Sequence, residues 1–266
     1  MFGAILGDIV GSRYEFHNHR SKEFDLFDRR CEFTDDSVMT IAVAKALTEF
    51  YSDDNQESLA DLTVKNMQGL GRDYPGRGYG GHFAYWLRDP NPQPYNSFGN
   101  GAAMRISPVA EVTTDLKKAL ELAEIVTAVT HNHPEGIKGA KATVHAIFLA
   151  REKKDFKEIK RIIREEYYPQ MDDTFTLNNI GKDYYFNETC QETVPQAIQA
   201  FLESTSFEDA IRNAIALGGD SDTLACITGS IAEAYYGMPQ VLKEMVLLYL
   251  DDYLISIINE FERITV

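Results

Sequence analysis

Two short acidic runs, Thr34-Asp35-Asp36-Ser37 and Gly218-Gly219-Asp220-Ser221-Asp222-Thr223, lie far apart in the chain, and each opens an apolar, small-residue segment. Carboxylates and threonine hydroxyls are hard oxygen donors, the company that Mg²⁺ and Mn²⁺ prefer. Neither run holds a histidine or cysteine, which weighs against zinc. A carboxylate at the mouth of an apolar core is costly unless it is paired, hydrogen-bonded or metal-bound. Helix capping alone would account for either run taken singly. Two runs, each with paired acids and a neighbouring hydroxyl, favour two cations roughly 4 Å apart that share a carboxylate.

Other segments carry weaker signals. Glu15 follows the first apolar stretch on Gly11-Ser12-Arg13-Tyr14 and reads by itself as an ordinary loop acid. The loop Gly76-Arg77-Gly78-Tyr79-Gly80-Gly81 could present backbone N–H groups to phosphate, or serve only as a flexible turn. It lacks the Lys-Ser/Thr ending of a P-loop and is not placed like a dinucleotide fingerprint. Ser97-Phe98-Gly99-Asn100-Gly101-Ala102-Ala103-Met104-Arg105 reads as a loop feeding a helix. Phe98 or Tyr79 could stack on a base or ribose there, with Ser97 and Asn100 as hydrogen-bonding groups. His131-Asn132-His133-Pro134 reads as a helix end, with His131 near the last carbonyls and His133 in solvent. His82 and His145 read as structural or incidental, and no Gly-x-Ser-x-Gly elbow is present.

The elements that must position these groups are helical. From Val38 to Phe50 the apolar residues follow a helix period, with Thr34 as N-cap and Asp35 and Asp36 in the first turn. Further helices are expected at 116–130, 137–151, 155–166, 193–203, 206–217, 222–236 and 240–262. Gly/Pro/Asn-rich stretches at 69–81 and 89–101 read as connections. No run of alternating strands supports an all-β or Rossmann arrangement. Gly3, Gly7 and Gly11 share one helix face, as do Ala225, Gly229 and Ala232, so these two helices are expected to pack closely at the centre. Segment 168–189 reads as a surface excursion or a short helical insert. One compact all-α domain over residues 1–266 is the expectation.

Composition narrows the function. The 44% hydrophobic content suits a globular protein, and no apolar stretch is long enough to span a membrane. The N-terminus lacks the basic start of a secretory signal. Cys31, Cys190 and Cys226 match no metal spacing, and a cytoplasmic, reducing setting is expected. The net charge of −15 argues against a broad nucleic-acid-binding face. Bound cations would invert that field locally and admit a small anionic ligand.

In this order along the chain, Gly3-Ala4-Ile5-Leu6-Gly7-Asp8 through Glu15, Thr34-Asp35-Asp36, Gly76 to Gly81, Ser97 to Arg105, His131 and Gly218 to Thr223 resemble the signatures of the ADP-ribosylglycohydrolase family. The resemblance implies an all-helical fold with a binuclear Mg²⁺ or Mn²⁺ centre in a cleft. It implies one cation held by Thr34, Asp35, Asp36 and Asp222, and a second by Asp35, Asp220, Asp222 and Thr223. Glu15 matches the family glutamate near the scissile bond, so Glu15 and Asp36 are the catalytic candidates. Gly76, Gly78, Tyr79, Gly80, Gly81, Ser97, Phe98 and His131 match the ADP-ribose site, with Gly99, Asn100 and Gly101 in the same signature.

The implied reaction is hydrolysis of the C1″ glycosidic bond of an ADP-ribosyl group, releasing ADP-ribose. Arginine-linked ADP-ribose on a protein is the preferred substrate, with serine-linked, nucleobase-linked and small-molecule forms as alternatives. A nucleic acid would be a partner only as the modified substrate. Two other readings stay open: two-metal hydrolysis of a phosphate ester, and non-catalytic ADP-ribose binding. Linear order does not decide the oligomeric state, with a monomer preferred.

Overall fold

The computed structural model describes residues 1–266 and is helical from end to end. Its first half contains α1 (Phe2–Gly11), α2 (Asp35–Phe50), α3 (Leu59–Asp73), α4 (Gly81–Trp86), α5 (Gly101–Met104), α6 (Ser107–Glu111) and α7 (Leu116–Ala128). The second half contains α8 (Pro134–Arg151), α9 (Phe156–Glu166), α10 (Leu177–Ile180), α11 (Cys190–Leu202) and α12 (Phe207–Leu217). It closes with α13 (Ser221–Tyr236), α14 (Gln240–Leu247) and α15 (Asp252–Phe261). One isolated bridge, Gly99 to Thr189, is the sole strand-like pairing. The all-α expectation is met.

The expected small-residue stripes meet face to face. A methyl group on Gly3 would lie 2.2 Å from the Gly229 carbonyl oxygen, and one on Gly7 would lie 2.1 Å from that of Ala225. At Gly11 the obstruction is the Asp222 Cα, 2.5 Å away. The backbones of α1 and α13 therefore touch along their length, and every residue of α1 is buried. Around them α2, α8, α11 and α12 complete one connected core reaching from Met1 to Phe261.

Three expectations need correction. The 240–262 helix is two helices, because Asp251 accepts from the Tyr253 and Leu254 N–H groups at 3.0 Å and starts α15 afresh. Asp251 also accepts from the Tyr74 hydroxyl at 2.7 Å. The 69–81 stretch is not all connection: α3 continues to Asp73 through Gly69 and Gly71. Gly71 is a packing residue, since a Cβ there would lie 2.5 Å from Leu87 Cδ2. Finally, His133 does not simply face solvent. Its Nδ1 accepts from Glu135 N–H at 3.1 Å and caps α8.

Candidate active site

The first turns of α2 and α13 face one another across the end of α1. Carboxylate oxygens of Asp8, Asp36 and Asp222 lie within 4.8 Å of one another, and so do those of Glu15, Asp220 and Asp222. Asp222 belongs to both groups. Thr223 Oγ1 donates to Asp36 Oδ2 at 3.3 Å and joins the two acidic runs directly. Capping explains only part of this. The Thr34 side chain does cap α2, but Asp220, at the N-cap position of α13, makes no side-chain cap bond.

Asp8 carried no role in the sequence reading, yet it organises the first run. It is fully buried on apolar α1. Its Oδ2 accepts from the N–H groups of Thr34 at 2.9 Å and Ser37 at 3.0 Å, and from the Ser37 hydroxyl. Its Oδ1 accepts from Thr34 Oγ1 at 2.6 Å. The α2 N-terminus is thereby fixed to the end of α1. A charged residue deep in an otherwise apolar helix was the available signal.

Glu15 is placed by Asn18, another residue that the motifs did not single out. The Asn18 side chain donates to the Glu15 carbonyl at 3.0 Å and to the Gly219 carbonyl at 2.8 Å. In return the Gly219 N–H donates to Asn18 Oδ1 at 2.8 Å. Gly218 and Gly219 adopt φ of 72° and 74°, the left-handed region where a side chain is strained, and this turn delivers Asp220 and Asp222. A tip of segment 168–189 completes the rim. Glu188 lines the cavity, and its carbonyl accepts from the Asn100 N–H at 2.7 Å. Asn100 in turn donates to Asp220 Oδ2 at 2.7 Å.

These acids open into a cavity of about 290 Å³. Its wall holds Glu15, Asp35, Asp36, Asp220, Asp222 and Thr223, together with Gly78, Gly80 and Gly81. Ser97, Gly99, Asn100, Gly101 and His131 line it as well. His82, read as structural or incidental, also lines the cavity. His145 does read as structural, with Nδ1 3.1 Å from the Tyr167 hydroxyl. Not every candidate gathers here. Gly76 and Tyr79 line a separate pocket beside Pro75 and Arg88. Phe98 packs on His133 with ring centres 5.2 Å apart. Thr34 is turned toward Asp8, whereas Asp35 lines the cavity without joining either carboxylate triad.

The electrostatics follow from this crowding. Burial pushes Asp8 up to about 6 and Glu15 up to about 7, with Asp220 adding repulsion at Glu15. Asp35, Asp36 and Asp222 are raised well above the ordinary carboxylate range, by burial first and neighbouring carboxylates second. Asp36 Oδ1 is buried with no hydrogen-bond partner. Such a group costs about 1–3 kcal/mol or more if left alone.

Residues 1–263 match the family model for ADP-ribosylglycohydrolase. The chain belongs to the ADP-ribosylglycohydrolase family. It is 26% identical to the ADP-ribosylhydrolase ARH3 of Xenopus tropicalis, over 91% of this chain and 87% of that protein. Against the ADP-ribosylhydrolase ARH3 of Homo sapiens it is 27% identical, over 90% of this chain and 85% of the relative. A solved structure titled an ADP-ribosylglycohydrolase-related protein complex overlays with a TM-score of 0.71 at 19% identity, covering 98% of this chain and 95% of that one. This likeness establishes an ADP-ribosylglycohydrolase fold. No helix of this family member is long and apolar enough to cross a membrane.

Proposed function

We propose that this protein hydrolyses the C1″ glycosidic bond of ADP-ribosylated substrates, with arginine-linked ADP-ribose preferred. The observation that carries this reading is the convergence of Glu15, Asp36, Asp220 and Asp222 on one cavity in a chain of this family. Family membership supports ADP-ribosyl hydrolysis. The choice of arginine rests on the rim, where Glu15 and Glu188 offer carboxylates to a cationic leaving group. Phe16 and Phe186, both exposed and 5.9 Å apart, flank those acids in sequence and add aromatic faces suited to a guanidinium.

The donor set fits two hard cations, Mg²⁺ or Mn²⁺: all ligands are oxygen, and Asp36 Oδ1 lacks any other partner. Asp36 and Asp222 would hold one, with Asp8 supporting them from behind, and Glu15, Asp220 and Asp222 converge where a second would sit, with Asp35 and Thr223 on the same wall. When bound, the cations offset the carboxylate repulsion and supply electrophilic anchors for sugar hydroxyls. The chain's own groups do the rest. Gly78, Gly80, Gly81, Ser97, Gly99 and Gly101 leave room for a nucleotide close to the backbone. Glu15, half-buried at the mouth, takes a proton from the water that attacks C1″, and the leaving group departs with the bonding electron pair and takes up that proton from Glu15. Asp36, almost wholly buried, serves as a ligand rather than as the proton carrier. The three cysteines are free and buried, in keeping with a cytoplasmic setting.

The test is incubation with Mg²⁺ and, separately, arginine-, serine- and nucleobase-linked ADP-ribose. Release of ADP-ribose from the arginine conjugate is expected. Release from another linkage alone overturns the substrate choice, and tight binding of ADP-ribose without turnover of any linkage overturns catalysis.

A further inference from the structure

Arg105 is a cation in the wrong place for a merely structural residue. It is 1% exposed, lines the cavity, and makes no ion pair with a carboxylate. Buried guanidinium groups are normally matched by an anion. Its Nη2 donates to Thr130 Oγ1 at 2.6 Å, its Nε has no acceptor, and the Phe83 ring centre lies 5.9 Å away. Arginine has no acceptor to offer, so Thr130 Oγ1 accepts from it and keeps its own proton to donate. His131 Nδ1, 2.7 Å away, is the acceptor of that proton, because Arg105, which can only donate, faces the same nitrogen. Arg105 Nη2 also points at Nδ1, from 3.4 Å.

With Nδ1 facing two donors, the imidazole carries its hydrogen on Nε2. Nε2 has no protein partner and lies 3.2 Å from where a Cβ of Gly101 would stand and 3.5 Å from that of Gly99. Both glycines line the cavity. Burial and the adjacent guanidinium hold His131 well below its ordinary pKa, so the ring stays neutral.

We propose that Arg105 is a positioning residue that, acting through Thr130, fixes His131 as a neutral Nε2–H donor to an anionic phosphate oxygen of the ligand. This rests on the ADP-ribosyl reading, in which a diphosphate enters the cavity. The guanidinium supplies positive potential behind the donor, so the wall discriminates phosphate-bearing ligands from bare nucleosides. Thr130 is the separable link, since it is buried and its hydroxyl touches only the two partners.

The experiment is ¹⁵N NMR of the His131 ring, assigned with H131N, in wild type, T130V and T130S. Wild type and T130S are expected to show the Nε2–H tautomer from about pH 5.5 to 8, with T130V losing the fixed tautomer. Inorganic pyrophosphate should shift the wild-type Nε2–H resonance. The Kd for ADP-ribose should rise about tenfold in T130V alone, with adenosine binding unchanged. An Nδ1–H or protonated ring in wild type overturns the inference, as does wild-type ADP-ribose affinity in T130V or a resonance indifferent to pyrophosphate. The ring and pyrophosphate readouts need no turnover, so failure of the enzyme reading would be seen separately, as absent ADP-ribose release.

Discussion

The Thr223 hydroxyl donates to Asp36 Oδ2 across 3.3 Å, although 187 residues separate the two in sequence. Two helix beginnings are thus pinned together at the point where the carboxylates converge. Replacing Asp36 or Asp222 by Ala should abolish ADP-ribosyl hydrolysis and divalent-cation binding while the far-ultraviolet circular dichroism stays helical. Normal turnover in either variant would remove it from the site.

Asp8 supports the same centre from α1 through Thr34 and Ser37. Asp8→Asn keeps the shape and removes the charge. We expect cation affinity, measured by calorimetry, to drop about 10–100-fold. An unchanged affinity would restrict Asp8 to a scaffolding role.

Glu15 is the half-buried acid at the cavity mouth. Glu15→Gln should lower kcat by about 10²–10⁴-fold while the Kd for ADP-ribose moves little. A fall in affinity with kcat intact would reassign it to binding.

Without divalent cations the acids control stability. Burial raises Asp8 to about 6 and Glu15 to about 7 in the folded chain. Between the ordinary carboxylate range and those values, the folded chain holds protons that the unfolded chain has released. Stability therefore falls as pH rises through that window. In chelator-treated protein the Tm should decline from about pH 5 to pH 8, and added Mg²⁺ should recover most of it at the upper end. A Tm that rises across the same interval contradicts the sign.

Gly7 leaves 2.1 Å between its missing Cβ and the Ala225 carbonyl oxygen. The obstruction is backbone, so it cannot rotate away. Gly7→Ala should cost about 3 kcal/mol or more in denaturant unfolding and separate Asp8 from Asp222. Gly69, with nothing within 4 Å, provides the control: Gly69→Ala should be neutral or stabilising.

Helix periodicity and the glycine stripes made the central helices and both acidic runs legible in the sequence. α3 was obscured because Gly69 and Gly71 read as loop residues, whereas Gly71 is a contact surface for Leu87. The 240–262 boundary was missed because a capping aspartate looks like any surface acid until its backbone partners are known. At the site, ligand-type residues in clusters stood out, but single supporting residues did not. Asp8, Asn18 and Arg105 act through partners far away in sequence, which no local pattern encodes. Gly76, Tyr79 and Phe98 share their motifs with cavity-lining neighbours, yet backbone direction turns them elsewhere.

The contact between α1 and α13 is made by main chain meeting main chain, so the spacing of the acids is gauged by peptide atoms rather than by side-chain bulk. Leucine-for-isoleucine drift in the surrounding layers can accumulate without retuning the chemistry. Three glycines of α1 act as the ruler.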